Sequence, residues 1–434
     1  MKTISTLALA ASLVAGGFCL ATPAFAQRAK VAQEEKGRAK GKQPAQVSAD
    51  TVKGRKLVLS KEAQAPLKAV ETAIKAKDPN YPAVLATAEA AVKTSDEKYA
   101  LALLRLAHAG GNADEPGRLA AYEALLASGG ADPAELTGIY QNIGILASKT
   151  GNRDRAQQAY AKVAELSPNS SDALANLASI TIEQKKNAEG LILLDRAIAA
   201  RKAEGGAVPE SWYRNALQIA YADRQSAKAI QYGRDTLAAY PTQVNWRNAL
   251  VVYRDTVRAD DAMNLDALRL MRASKSIKEK NEYYELARQL NQDGLPGEAK
   301  QVLEEASRSG LIAVTEPNYR TLMAAVSPKI AEDRASLPGV ESRALAAASG
   351  TAAFNTAGAY FGYGDYAKAA SLYRVALQKG SVNAGVANSR LGMALALAGN
   401  KAEAEAAFRA VTGPRADLAA FWLYWLSKGS TLTP

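Results

Sequence analysis

A sequence pattern that recurs at intervals near 34 residues limits what this chain can fold into more than any other feature. Each copy has two halves separated by a short turn. The first half contains a large residue, aromatic or aliphatic, followed by a small residue. The second half contains a small residue followed by a large one. The clearest copy consists of Tyr140, Ile143, Gly144, Ala147, Gly151, Ala156, Tyr160 and Pro168. Small residues let two helices approach closely, and large residues fill the space between neighbouring helix pairs. The period therefore predicts stacked helix pairs.

Six further segments repeat the pattern, beginning at Leu174, Tyr213, Trp246, Tyr283, Tyr360 and Leu391. The copies occupy residues 131–312 and 346–434, where the final aromatic stretch, 421–426, predicts a capping helix. Residues 57–130 are interpreted as helical hairpins with degenerate motifs. Residues 313–345 lack the pattern and form an irregular break, with its clearest interruption at Pro338 and Gly339. That interruption is interpreted either as a hinge or as an irregular repeat.

The order of these residues resembles the tetratricopeptide repeat (TPR), whose pattern is W-x2-L-G-x2-Y…A-x3-F…P. The resemblance implies an all-α fold, namely an α-solenoid in which antiparallel helix pairs form a right-handed superhelix. It also implies a groove lined by the first helix of each pair, and a protein or an extended peptide as the partner. We expect a protein-binding scaffold of the exported bacterial type.

The N-terminus predicts export. Lys2 precedes a mostly apolar stretch over residues 4–20, and Ala24-Phe25-Ala26 is an A-x-A cleavage site. We therefore expect a signal peptide over residues 1–26 and a periplasmic mature protein. Cys19 raises the alternative of a lipoprotein anchor, but Phe18 stands where such signals have a small residue. No later stretch is apolar over the length that a transmembrane helix needs, so we expect no transmembrane segment.

Residues 27–56 form a basic segment that we expect to be disordered. They hold nine Lys and Arg residues against three acidic residues, and they contain no aromatic residue. Such a composition buries too little surface to offset the entropy of ordering. The segment is interpreted either as a solubilising tether or as the attachment to an acidic envelope polymer or lipid surface. Nucleic acid is not an expected partner for an exported chain.

The counts of Cys and His limit the chemistry that one chain can perform. Cys19 is the single Cys and His108 the single His, which excludes a disulfide framework, a Cys-ligated metal and a site with several His ligands. A triad that needs His has little room, because His108 stands at a predicted helix end where it caps carbonyls. We therefore expect no enzyme activity, no cofactor and no metal, with an enzyme subunit as the less favoured alternative.

A row of asparagines marks the predicted groove. Asn142, Asn176, Asn215 and Asn248 follow one another at intervals of 34, 39 and 33 residues, and Asn355 holds the equivalent place in the C-terminal group. A carboxamide both donates and accepts hydrogen bonds, so it can pair with a peptide backbone without contacting side chains. In peptide-binding repeats that resemble these, Asn here grips an extended peptide. The alternative is that the amides bind their own scaffold.

Two further copies have Glu285 and Arg390 at that place. Arginines accompany the asparagine row in two adjacent copies. Arg214 and Arg247 directly precede Asn215 and Asn248, and Tyr221 and Arg254 lie two turns further along the same helices. Guanidinium groups in one groove favour a carboxylate or another anion, often through two hydrogen bonds. The alternative is a solvated basic face. The predicted peptide-binding groove comprises Asn142, Asn176, Asn215, Asn248, Asn355, Arg214, Arg247, Tyr221 and Arg254.

Overall fold

The structure, a computed structural model, describes residues 51–52, 55–257 and 260–428. The predicted signal peptide and residues 27–50 of the predicted tail lie outside them. At the end of that tail, Thr51–Val52 (β1) and Arg55–Lys56 (β2) pair as two antiparallel strands, with Val52 opposite Arg55. Every other regular element of the described residues is helical, in 21 α-helices and one 3-10 helix.

Contacts divide the chain into two units, Met1–Trp212 and Tyr213–Pro434. The first unit contains α1 (Lys61–Ala76), α2 (Tyr81–Ala91), α3 (Ser95–Gly111), α4 (Glu115–Ala127), α5 (Pro133–Lys149), α6 (Arg153–Leu166), α7 (Ser171–Glu183) and α8 (Asn187–Ala203). The division falls within α9 (Glu210–Ala222). The second unit continues with α10 (Ser226–Ala239), α11 (Gln243–Val257), α12 (Asp261–Ala273), α13 (Lys280–Gln292), α14 (Pro296–Arg308), α15 (Pro317–Val326), α16 (Lys329–Ala346), α17 (Thr351–Gly362), α18 (Tyr366–Lys379), α19 (Ala384–Leu397), α20 (Lys401–Arg409), the 3-10 helix Gly413–Arg415 and α21 (Ala416–Lys428).

The small residues of the repeat set the distance between paired helices. A Cβ atom at Gly144 of α5 would lie 2.7 Å from the ring of Tyr160 on α6. The same relation holds in the last pair, where a Cβ at Gly392 would lie 2.7 Å from the ring of Phe408. Between α5 and α6, Gly151 has a φ of +79°, a conformation that costs glycine little. The recurring Gly and aromatic positions therefore build the predicted helix pairs.

The segment with degenerate motifs forms helices α1 to α4. Leu67, Leu101 and Leu104 are buried in its core. Glu97 at the start of α3 accepts hydrogen bonds from the backbone N–H groups of Ser60, Lys93 and Thr94 at 2.9, 2.7 and 3.0 Å. These bonds connect the N-terminal cap of α3 to the residue that caps α1. The first unit is thus helical even where the repeat pattern is weak.

The predicted interruption at Pro338 lies inside a helix, because α16 continues from Lys329 to Ala346. Proline removes one backbone hydrogen bond and normally kinks or ends a helix. Here α17 and the residue that follows it contact α16 on both sides of the proline. The hydroxyl of Tyr363 donates to Asp333 at 2.5 Å, and that of Tyr360 donates to Glu341 at 2.6 Å. These side-chain contacts support the helix on each side of Pro338. Residues 317–346 thus form two helices in the place of the predicted break.

Helix α12 lies at the centre of the second unit. Every residue from Met263 to Met271 is buried, which an ordinary amphipathic helix does not show. Its polar residues bind the C-terminal part of the unit: Asp266 accepts a hydrogen bond from Arg415 at 2.6 Å. The C-terminal helices thus pack against the second helix of an earlier pair.

The predicted capping helix is α21. Phe421 and Trp422 are fully buried, and Trp422 stacks on Phe408 of α20 with ring centroids 5.7 Å apart. The helix also contacts α10, where Arg234 donates to Asp417 at 2.6 Å. It therefore covers the last helix pair and joins it to an earlier one.

The predicted all-α fold of adjacent helix pairs is confirmed, with the two-residue strands as the departure from it. Of the helices in the described ranges, none combines the length and apolarity that a membrane crossing needs.

Candidate functional site

The asparagines of the first unit lie on the first helices of neighbouring pairs. Asn142 is half-buried on α5, and its Nδ2 donates to the backbone oxygen of Gly138 at 2.8 Å. Asn176 is exposed at the equivalent position of α7. One donor of Asn142 is therefore used by its own helix, while its side-chain oxygen takes no part in that bond.

The second unit contains the other three asparagines. Asn215 on α9 and Asn248 on α11 are half-buried, and Asn355 on α17 is exposed. Within the residues that the structure describes, neither these three amides nor that of Asn176 make a side-chain hydrogen bond. A half-buried carboxamide without a partner favours a ligand or water that supplies one. The asparagine row thus keeps unused donors and acceptors.

Arg247 is occupied by the protein itself. Its Nη1 donates to Oε1 and Oε2 of Glu282 on α13 at 3.1 and 2.8 Å, and to the backbone oxygen of Ser276 at 3.3 Å. Glu282 also accepts hydrogen bonds from the backbone N–H groups of Lys278 and Glu279, as the third residue of α13 in a capping box. A carboxylate of the next repeat therefore occupies the place that was expected from the sequence for an anionic ligand, which disfavours that prediction.

Arg254 is engaged in the same way. Its Nε donates to Oδ1 of Asn264 at 3.0 Å, and its Nη2 donates to Oε1 of Glu285 at 2.8 Å. Glu285 holds the asparagine position on α13, so that copy uses the position to bind its neighbour. The arginine is only 14% exposed, which leaves it little contact with any ligand. The predicted anion site at Arg254 is disfavoured for the same reason.

The two remaining predicted residues, Arg214 and Tyr221, lie on α9. Arg214 is exposed on α9. The hydroxyl of Tyr221 donates to Oδ2 of Asp255 on α11 at 2.9 Å, so it connects two first helices. The structure thus places the predicted residues of α9 and α11 on neighbouring helices, but most of their charged groups stabilise the repeat stack.

A buried charge cluster in the second unit was not expected from the sequence. Asp266 on α12 is fully buried and lies 2.9 Å from Nη1 of Arg269, 2.6 Å from Nη1 of Arg415 and 3.4 Å from Nε of Arg390. Burial alone would raise the pKa of Asp266, but the three arginines outweigh it and hold the pKa at about 2. Arg390 has the asparagine position on α19, so that copy contacts its own chain. Only the Asp266–Arg269 spacing of three residues was visible in the sequence.

The part of the chain that the structure describes brings together no group of three or more His, Cys, Asp or Glu residues that would hold a metal. His108 lies in the last turn of α3, as expected, and its ring stacks on Tyr81 with centroids 3.6 Å apart. That ring contact was not foreseen, since Tyr81 belongs to the preceding helix.

One segment of the chain matches a known repeat family. Residues 137–170, which contain most of α5 and all of α6, match the family model of the tetratricopeptide repeat. The predicted tetratricopeptide repeat is thereby confirmed for this segment, and repeats of this family are scaffolds for protein–protein interaction. No curated protein matches the chain.

Several solved structures resemble this one distantly. A tetratricopeptide repeat protein from Parabacteroides merdae is 11% identical with a TM-score of 0.31, and the match covers 62% of this chain and all of the other. Pseudomonas aeruginosa pilF is 13% identical with a TM-score of 0.25, over 61% of this chain and 97% of the other. The TPR2AB domain of yeast Sti1, solved in complex with pHSP90, is 15% identical with a TM-score of 0.25, over 68% of this chain and 99% of the other.

Proposed function

We propose that this tetratricopeptide-repeat protein is a non-catalytic periplasmic scaffold that binds a protein or an extended peptide on the first helices of its repeats. The observation that carries the proposal is the asparagine row. Four of its five amides keep all their hydrogen-bonding groups unused among the described residues, three of them in successive helix pairs and the fourth, Asn355, in the C-terminal group.

The chemistry of the row favours the backbone of the partner over its side chains. Each carboxamide offers one acceptor and two donors, which match the N–H and C=O groups of a peptide unit. The arginines of α11 are already paired with glutamates, so they contribute rigidity and not anion binding. We therefore expect a partner selected by extended conformation, with an affinity in the micromolar range.

The periplasmic part of the proposal rests on the N-terminal sequence. Ala24-Phe25-Ala26 follows an apolar stretch of signal-peptide length. Expression of the full chain with a C-terminal tag, followed by osmotic release of the periplasm and mass spectrometry of the N-terminus, tests it. Release of a chain that begins at Gln27 supports export, and an intact Met1 in the cytoplasm contradicts it.

The binding proposal is tested on a peptide array with two double variants. Asn142→Ala with Asn176→Ala tests the first unit, and Asn215→Ala with Asn248→Ala tests the second. Each lost hydrogen bond is worth about 0.5–1.5 kcal/mol, so a double variant in the binding unit should weaken binding about tenfold.

Matched controls lie on second helices. Gln158 on α6 and Gln378 on α18 are exposed amides in the first and second units. Gln158→Ala and Gln378→Ala should leave binding unchanged, because they remove a carboxamide from the opposite helix of a pair. Equal binding by the wild type and both double variants would refute the asparagine row as the binding site.

A second function is favoured by the charge of residues 27–56, whose nine basic residues suit an acidic envelope polymer or lipid surface. Deleting these residues should abolish salt-sensitive pelleting of the protein with cell envelopes. Pelleting that survives the deletion would exclude this attachment.

A further inference from the structure

A cavity of about 160 Å³ lies within the second unit, where α12 and α14 meet α17, α18 and the end of α19. It is separate from the asparagine row. Arg269 and Arg272 of α12 and Glu298 and Glu305 of α14 contribute its charged lining. The cavity is partly open to solvent, since the side chains of Arg272 and Glu305 are 22% and 33% exposed. Its deeper charges, Arg269 and Glu298, are buried and are paired with each other, because buried charges are costly unless they are paired.

The two arginines differ in how fully they are paired. Arg269 uses Nε and Nη2 on Glu298, at 2.9 and 2.5 Å, and Nη1 on Asp266, and its guanidinium lies 4.9 Å from the centre of the Phe361 ring. Arg272 uses only Nε, which donates to Oε2 of Glu305 at 2.7 Å. In the described residues no acceptor binds its two terminal nitrogens.

The arginines near the cavity form two groups. Arg269, Arg390 and Arg415 share Asp266, and Arg269 also pairs with Glu298, whereas Arg272 pairs with Glu305. Asp293 adds a further carboxylate near Arg269 and Arg390, and desolvation raises its pKa despite these arginines. Of the two arginines that line the cavity, Arg272 therefore keeps donors that no carboxylate of the described residues uses.

The rest of the lining is apolar or aromatic. Phe361 is buried, and Tyr366 and Leu397 are half-buried around the same space. A cavity of about 150 Å³ holds a benzene molecule, so the available volume suits a ligand of about six to eight non-hydrogen atoms. The lining thus offers the unused terminal nitrogens of Arg272 at one end and an apolar surface for a branched or flat body at the other.

We propose that this cavity binds a small monocarboxylate, with the carboxylate accepting two hydrogen bonds from Nη1 and Nη2 of Arg272 and the apolar body packing against Phe361 and Leu397. End-on bidentate pairing is the geometry that guanidinium groups favour with carboxylates.

The test uses isovalerate and its uncharged analogue isovaleramide on the full chain. Trp425 reports on the site, because its Nε1 donates to the backbone oxygen of Ala273, which lines the cavity, at 3.2 Å. Its indole N–H resonance is one of four and is assigned with Trp425→Phe. At constant ionic strength isovalerate should shift it saturably, with a dissociation constant of about millimolar, and isovaleramide should bind at least about tenfold more weakly.

Arg272→Gln should weaken isovalerate binding at least about tenfold. Arg308→Gln, which removes the same charge from the exposed end of α14, should not change it. Equal binding of the acid and the amide by the wild type would overturn the proposal, and so would unchanged isovalerate binding in a folded Arg272→Gln variant. If that variant does not fold, the comparison of acid and amide on the wild type decides.

Discussion

Asp266 illustrates how one carboxylate fixes a helix in a buried position. It contacts Arg269 within its own helix, Arg390 on α19 and Arg415 in the 3-10 helix, which are 3, 124 and 149 residues away in sequence. Its charge is needed because removing one partner of a buried ion pair leaves the others uncompensated. The residue therefore joins the C-terminal repeats to α12.

Asp266→Asn should lower the free energy of unfolding by about 3–5 kcal/mol, because three guanidinium groups then lose their shared negative charge in a buried site. Urea unfolding of the full chain, followed by circular dichroism, measures the change. Asp261→Asn, an exposed position in the first turn of the same helix, is the matched control and should cost less than about 1 kcal/mol. Equal effects of the two substitutions would mean that the Asp266 cluster contributes little.

At the scale of the elements, the packing of the helix pairs depends on which helix positions are glycine. Gly392 on α19 faces the ring of Phe408 on α20, whereas Gly339 on α16 has open space around it except for Arg343 at 3.6 Å. Glycine inside a helix costs about 0.5–1 kcal/mol relative to alanine, so it is retained where a neighbour needs the room. The two positions should respond to the same substitution with opposite signs.

Gly339→Ala should raise the free energy of unfolding by about 0.5–1 kcal/mol, since the new methyl group fits and the helix gains propensity. Gly392→Ala should lower it by about 1–3 kcal/mol, because the methyl group overlaps the Phe408 ring and forces the pair apart. Denaturant midpoints of both variants test this contrast. A stabilising Gly392→Ala would contradict the packing described for the repeat.

The pattern of small and aromatic residues made the helix pairs predictable, since Gly144 with Tyr160 and Gly392 with Phe408 lie within one repeat. It did not predict α16, because the contacts of that helix on both sides of Pro338 come from Tyr360 and Tyr363, which lie elsewhere in the sequence. The spacing placed the asparagine row on first helices but left open whether its amides bind their own scaffold, as Asn142 does, and their role in binding a peptide stays a prediction. The pairing of Arg247 and Arg254 was not, because their glutamate partners lie 31–35 residues further along the chain.

For the whole molecule, we expect the carboxylates to change the free energy of unfolding mainly at acid pH. Burial alone would raise the pKa of Glu97 on α3, but the backbone N–H groups of Lys93, Thr94 and Ser60 outweigh it and lower the pKa to about 2. The pKa of Asp266 is likewise about 2, and hydrogen bonds from Lys75 and Tyr360 lower the pKa values of Glu71 and Glu341 respectively. Each of these carboxylates is more acidic in the folded state than in the unfolded state.

These groups stabilise the protein fully above the pKa values of about 4–4.5 that they have when unfolded, and the stabilisation is lost as the pH falls toward 2. The free energy of unfolding should therefore fall steadily between pH 4.5 and pH 2. Glu97→Gln should make that fall shallower, whereas Glu62→Gln, at an exposed position of α1, should leave it unchanged. Urea titrations at several pH values measure it, and a pH-independent wild type would refute the contribution of these carboxylates.

The proposed scaffold is tested most directly by photo-crosslinking in cells. A photoreactive amino acid is introduced at Asn176, on the first helix α7, and in a second strain at Gln158, on the second helix α6, within the full chain. The proposal predicts that a defined partner from the periplasm crosslinks at position 176 and not at position 158, and that Asn142→Ala reduces the yield. Crosslinks of equal yield at both positions, or a partner found only at position 158, would contradict binding on the first helices.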